Sequence, residues 1–450
     1  MAYMIGGSEP SMNTENQLFY VPPTITERLA THDVLAGSSA ATYDDANYIT
    51  FDIAPCNDLI SLADIRFQCD LLIMKSDGSS FAPEDCVCPC NNILSSLFQC
   101  VQVTFAGRSI SDPSNLYFMR AYLENLFGYT EDAMRSQLSV EGFAYNKAQD
   151  SDVKGTWVPA AANVPAHATF KNVDQIFRYE MIKDGKTIQL SGKLHCDLFQ
   201  QDKPLLPGVP LSLKFTRSRI PLAFTALTAD KLPKVALRNP KLFVRKYIPT
   251  ASYLNSLSKN LLSSPAIYHF ERVQMRQMTV NYNQQFAEWS NLVTGQLPKM
   301  MLLTMTTSKA LNGSHDTNPF FFDNFDLMHL SAEIDDKVYP TNGYEMNYGD
   351  SYSLTAYEGL LRVLEIFNDS QRALPFSRKE FQKGYCVYRF DFTPSGTSRG
   401  ALTLIKQGNL NLSLKFKSPL TESIIVLAYL VFDATISINN QRQAMFDFQA

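Results

Sequence analysis

Leu211-Ser212-Leu213-Lys214-Phe215 recurs residue for residue as Leu412-Ser413-Leu414-Lys415-Phe416. In both copies apolar residues hold alternate positions, so Leu, Leu and Phe share one face of an extended chain and Ser and Lys take the other. Upstream of the first copy stands Cys196-Asp197-Leu198-Phe199, and upstream of the second Phe390-Asp391-Phe392. Further upstream of each lies a helical pattern. Asp112-Pro113 reads as a cap followed by a first-turn proline, Leu116, Met119, Leu123 and Leu126 follow at helical spacing, and Gly128 marks the stop. The second pattern, over 353–367, carries Leu354, Tyr357, Leu361 and Leu364, and Ala121-Tyr122 and Ala356-Tyr357 sit inside the two segments. Helix, Asp-bearing strand and Leu-Ser-Leu-Lys-Phe strand thus come twice in one order, which predicts a duplicated domain.

Period-two alternation fills both halves. Ile188, Leu190, Gly192, Leu194, Cys196 and Leu198 share one face over 187–199, and Cys386, Tyr388, Phe390 and Phe392 repeat the pattern, as do Ala434, Ile436 and Ile438. The apolar run Ile424–Phe432 is less than half the length of a membrane-spanning helix and reads as a buried strand. Many antiparallel strands with one helix per half predict an all-β chain of two tandem jelly-roll sandwiches, each with a short inserted helix packed on its own sheet. The expected domains are an arm over 1–47, jelly roll 1 over 48–248 and jelly roll 2 over 249–450. The arm is rich in Ser, Thr, Asn, Gly and Ala, carries Pro22-Pro23, and holds one apolar patch, Leu18–Val21, that reads as a docking element. The stretch 142–186, with Trp157, Pro159 and Pro165, is an insertion that the second half lacks.

A net charge of −4 argues against a dedicated nucleic-acid binder. The nearest approach to a basic stripe is Lys231, Lys234, Arg238, Lys241, Arg245 and Lys246, read as a solvated or interface face. The N-terminus shows neither a signal peptide nor, with Ala2, a myristoylation glycine, so the expectation is a protein made and kept inside the cell. Eight cysteines are too few for a disulfide scaffold, and the sequons at Asn312, Asn368 and Asn411 are expected to stay unmodified.

Catalytic patterns fail on spacing. Asp184-Gly185-Lys186-Thr187 resembles the end of a phosphate loop, but Glu180 stands where the first glycine belongs, and the stretch reads as a turn. The histidines at 32, 167, 195, 269, 315 and 329 lack a metal-binding interval, and His195 and Cys196 point to opposite strand faces. Cys86, Cys88 and Cys90 offer soft ligands, but their spacing is not that of a zinc knuckle, and reduced loop cysteines is the simpler reading. Asp44-Asp45 and Asp335-Asp336 read as solvated turns, not as paired catalytic carboxylates. No catalytic, cofactor-binding or metal residue is therefore assigned.

One resemblance spans about Leu18 to Asn440. It rests on Leu18-Phe19-Tyr20-Val21-Pro22-Pro23-Thr24, Ser96-Leu97-Phe98, Gly192-Lys193-Leu194-His195-Cys196-Asp197 and Leu206-Pro207-Gly208-Val209. It continues through Gly295-Gln296-Leu297-Pro298, Gly313 with Asn318-Pro319-Phe320, and Gly408-Asn409-Leu410. In these the chain resembles the major capsid proteins of Polintons (Mavericks), adintoviruses and virophages. The resemblance implies a homotrimer whose six jelly rolls imitate a hexagon and tile an icosahedral shell around a DNA genome. It also implies contacts with neighbouring capsomers and a minor (penton) capsid protein, and no chemistry in this subunit. The expected location is the virion, assembled inside the host cell, with no membrane insertion and no sequence-specific nucleic-acid contact. A two-sandwich carbohydrate-binding or carbohydrate-active protein and a host-adopted, capsid-derived protein are the alternatives.

Overall fold

Both Leu-Ser-Leu-Lys-Phe segments are strands with one burial pattern: Leu, Leu and Phe are buried in each, and the lysine is exposed. The computed structural model describes residues 25–37, 47–82, 85, 87–144, 173–226, 229–348, 354–364, 373–393 and 405–447. The first half carries β1 (Thr26–Ala36), β2 (Tyr48–Ile53), β3 (Arg66–Met74), β4 (Phe98–Phe105), β5 (Arg108–Ser109), β6 (Thr187–Lys193), β7 (Leu211–Arg217) and β8 (Lys234–Pro249). The second carries β9 (Ala266–Val280), β10 (Phe286–Gln296), β11 (Met300–Thr307), β12 (Leu327–Ile334), β13 (Lys337–Glu345), β14 (Val387–Asp391), β15 (Gln407–Phe416) and β16 (Ile424–Ile438).

In the first half the sheet orders are β1-β8-β3-β6 and β2-β7-β4-β5; in the second they are β9-β16-β11-β14 and β10-β15-β12-β13. Each strand of the second half therefore takes the place of its counterpart eight labels earlier. Neighbours are antiparallel throughout. This interleaving of two facing sheets is the jelly roll, present twice. Between the first pair of sheets, Phe67 of β3 stacks on Phe215 of β7 at 4.8 Å, with Phe51 5.6 Å and Phe98 5.2 Å from Phe215. The repeat's phenylalanine is thus the centre of that core.

Among the described residues, the helices of ten residues or more are α1 (Tyr117–Gly128), α2 (Val173–Ile182), α3 (Ala251–Ser263) and α4 (Leu354–Val363). α1 and α4 occupy the same place in the two halves, between the fifth and sixth strands of each sandwich. Several expectations need correction. Thr26–Ala36, assigned to the arm, is strand β1 and pairs with β8 from Thr26↔Pro249 to Ala36↔Lys241. The first helix starts at Tyr117, because the Asp112 carboxylate does not cap it but accepts the backbone N–H of Met275 at 3.0 Å. Nor does α1 pack on its own half alone: Phe118, Met119, Tyr122, Leu123 and Leu126 join the core of the second half. The strand read over 187–199 stops at Lys193, and Asp197 opens a short 3-10 turn. By register Lys193, facing Arg66, is the counterpart of Asp391, facing Met300, so the Asp landmark is displaced by one turn of chain. Among the described residues, two helices of ten residues or more were not foreseen. α2 lies in the insertion, and α3 links the halves, with Thr250 capping it through the N–H of Tyr253.

Candidate functional site

Of the cysteine cluster, Cys86 lies outside the described residues. Cys88 and Cys90 are buried, but they belong to different cores: Cys88 to the first and Cys90 to the second. Burial pushes the Cys90 thiol up to about 12 and raises Cys88 as well, which keeps both protonated. Among the described residues no three His, Cys, Asp or Glu side chains stand together as a metal site. Asp335 and Asp336, both at positive φ, make the two-residue turn between β12 and β13, and Asp335 pairs with Lys406 at 3.0 Å. Asp184 and Gly185 likewise form a positive-φ turn ahead of β6.

The basic stripe divides by face. Lys234, Arg238 and Lys241 are exposed on the outer face of β8, whereas Lys246 pairs with Asp33 and Lys231 with Asp85. Asn312 closes a short helix, and Asn411 accepts the N–H of Asn291. Asp44, Asp45, His167, Asn368 and the patch Leu18–Val21 lie outside the described residues. No helix among the described residues is long and apolar enough to cross a membrane.

The arrangement with most consequence is the joint between the jelly rolls. Among the described residues β9 is an edge strand, paired only with β16, and an unpaired edge exposes backbone donors and acceptors. Side chains of the first half satisfy this edge at alternate residues. Lys203 Nζ donates to Ile267 O at 3.1 Å and Gln201 Nε2 to His269 O at 2.7 Å. Asp197 Oδ1 accepts Val273 N–H at 3.1 Å, and Asp112 Oδ2 accepts that of Met275. Tyr268 donates its hydroxyl to Pro204 O at 3.1 Å and accepts the Leu206 N–H at 3.2 Å. A row of side chains does here what a neighbouring strand would do elsewhere.

Behind this row stands a buried ionic cluster. Arg120 of α1 pairs with Asp197 at 2.6 Å and with Glu124, one helical turn on, at 2.7 Å. Glu124 also meets His195 Nδ1 at 2.7 Å and the Tyr429 hydroxyl of β16 at 3.4 Å. Burial opposes ionisation of Glu124, but Arg120 and then His195 outweigh it and hold the carboxyl well below its usual range. For Asp197 burial wins over Arg120 and pushes the carboxyl up. Such a cluster adds little net stability compared with an apolar filling, but removing one member strands a buried charge, so its use lies in fixing a single geometry. Aromatic packing completes the joint: Tyr122 of α1 stacks on Phe320 at 4.3 Å and meets Phe322 edge-on at 5.9 Å. Sequence reasoning placed His195 and Asp197 on a strand and missed the cluster, because its members come together only through the tertiary fold.

Chemically, the joint ties the two domains together through side chains that are themselves buried, Arg120, His195 and Asp197. A cleft of about 150 Å³ lies beside it, between α1 and the outer face of β11 and β16. That is below the roughly 300–1,000 Å³ of ordinary small-molecule sites.

Two jelly rolls joined in tandem define a double jelly-roll chain. Solved structures with the same architecture include a chain of the Sputnik virophage, at TM-score 0.57 and 12% identity over 99% of this chain and 93% of that one. A PBCV-1 virus capsid chain matches at TM-score 0.55 and 10% identity, covering 96% of this chain and 100% of its own. The mavirus major capsid protein matches at TM-score 0.50 and 10% identity, covering 100% and 97%. At these identities the likeness is one of fold. An uncharacterised protein of Caenorhabditis elegans is 21% identical over 364 residues, 80% of this chain and 81% of that one. No family model matches the chain.

Proposed function

We propose that this chain is a major capsid protein, a structural subunit that assembles as homotrimers of pseudo-hexagonal outline into an icosahedral shell around a DNA genome. The observation that carries the reading is the match in fold with a virophage chain over 99% of this chain and 93% of that one. The locked joint supports it, because a shell tile must present two sandwiches in one fixed relation. On this reading the subunit is not an enzyme, sits in the virion, and meets neighbouring capsomers and a minor capsid protein. The arm, with Leu18–Val21, docks under a neighbour. The net charge of −4 favours leaving DNA compaction to other proteins.

Light scattering on the purified chain tests this reading. Trimers or larger shells are expected, and a monomer under all conditions would contradict it. A two-sandwich sugar binder would instead remain small and gain thermal stability with oligosaccharide. The nematode relative favours a second reading, a capsid-derived protein carried in an animal genome. Loss of shell formation with retained trimers would point that way.

A further inference from the structure

We infer that the joint contains a built site for one water molecule, held between Arg120 Nη2 and His195 Nε2 and binding them into a single unit. The site is independent of the shell role, since it concerns how the two jelly rolls are held together within one chain.

Two polar atoms point to it. Arg120 is 4% exposed and His195 1%, yet among the described residues neither Arg120 Nη2 nor His195 Nε2 has a hydrogen-bond partner. A buried donor or acceptor left unmade costs its full desolvation, so such atoms are almost always satisfied. The other nitrogens of both groups are committed. Arg120 Nε and His195 Nδ1 each meet Glu124 at 2.7 Å, and Arg120 Nη1 meets Asp197 at 2.6 Å. One carboxylate thus grips both groups, Oε1 on Arg120 and Oε2 on His195, which holds guanidinium and ring side by side. Both line a cavity of about 20 Å³, together with Tyr117, Asp197 and an apolar wall of Val101 and Val103 from β4. Glu124 is not among its walls, so the edges facing the cavity are those turned away from Glu124, which bear the two orphaned nitrogens.

Chemistry decides the occupant. Arg120 and His195 hold Glu124 ionised, and a carboxylate only accepts, so the proton of the neutral ring sits on Nδ1. Nε2 is then a lone pair that needs a donor, whereas the guanidinium Nη2 can only donate. No anion can serve Nε2, and no metal cation can serve Nη2. A water serves both, accepting from Arg120 and donating to His195. The Tyr117 hydroxyl accepts the His195 backbone N–H at 3.2 Å and, because burial pushes the phenol up, keeps its own proton to give. Size agrees. A water needs roughly 10–15 Å³ and two to four polar partners, whereas a phosphate or sulfate is too large for the cavity.

The test is a structure of the full chain at neutral pH, by crystallography or cryo-electron microscopy, at a resolution that shows water. One peak is expected within about 3.2 Å of both Arg120 Nη2 and His195 Nε2. No peak there, or a direct hydrogen bond from Arg120 to His195, would overturn the inference. Crystals grown in bromide add a second check: an anomalous peak at the site would show a halide and a ring protonated on both nitrogens, which overturns it too. In solution, ring 15N shifts of the histidine-labelled wild-type chain should report a protonated Nδ1 and an unprotonated, hydrogen-bonded Nε2. The opposite tautomer would contradict the site, and this readout needs no variant to fold. His195→Phe should lose the peak; a variant that keeps it in full would assign the water to other partners and overturn the inference.

Discussion

Asp197 Oδ1 accepts the backbone N–H of Val273 at 3.1 Å while its carboxylate holds the Arg120 guanidinium at 2.6 Å. One side chain thereby ties a loop of the first jelly roll, a helix and the edge strand of the second. Asp197→Ala removes all of this and leaves a buried guanidinium underpaired, so the expected loss is about 3–5 kcal/mol. Asp197→Asn keeps an acceptor for Val273 and should lose less. Urea unfolding of both variants checks the order.

Glu124 gives the joint an acid sensitivity. Its ordinary value is 4.5; burial alone would raise it, but Arg120 and His195 outweigh burial and leave it lower in the folded chain. A depressed carboxyl stabilises the fold above its unfolded value and loses that contribution as pH falls through the folded one. Stability should therefore decline below about pH 4.5, and Glu124→Gln should be less stable near neutrality with a shallower acid limb. Denaturant midpoints across that range decide it; parallel curves for the two proteins would count against the assignment.

Gly192 closes the first sandwich where no side chain fits. A Cβ there would stand 2.7 Å from Leu94 Cδ2 and 2.7 Å from Glu141 Cγ. Gly192→Ala is expected to cost about 1–3 kcal/mol through overpacking. A melting curve matching that of the wild type would show that the Leu94 and Glu141 side chains yield freely.

Tyr122 is wholly buried where α1 meets the second core, stacked on Phe320. Tyr122→Ala should cost about 3–5 kcal/mol, like other large-to-small changes at buried aromatics. Because the ring belongs to the second core, limited proteolysis should show the joint opening first.

The strands were legible wherever one face is buried. Leu211, Leu213 and Phe215 alternate with Ser212 and Lys214 because β7 has a core on one side only. Ile424–Phe432 reads as an unbroken apolar run because β16 is covered on both sides, by its own sandwich and by α1. β1 escaped notice because several of its side chains are exposed and polar, so Glu27, Thr31 and His32 dilute the alternation. Asp112-Pro113 misled for a different reason: a carboxylate before a proline looks like a helix cap, but its partner is Met275, 163 residues away. The joint was illegible on the same ground. Arg120, Glu124, His195 and Asp197 become a unit only when one loop and a helix converge beside β9.

Removal of residues 1–24 probes the arm. Because 1–24 hold no apolar period and carry Pro22-Pro23, the deletion is expected to leave the two domains folded while impairing shell assembly. Normal particles from the truncated chain would contradict a docking role for Leu18–Val21.

Electron microscopy of the purified full-length chain tests the central claim most directly. The account predicts particles of hexagonal outline, three chains each, alone or tiled into closed shells. A field of isolated two-lobed monomers at every concentration would contradict it.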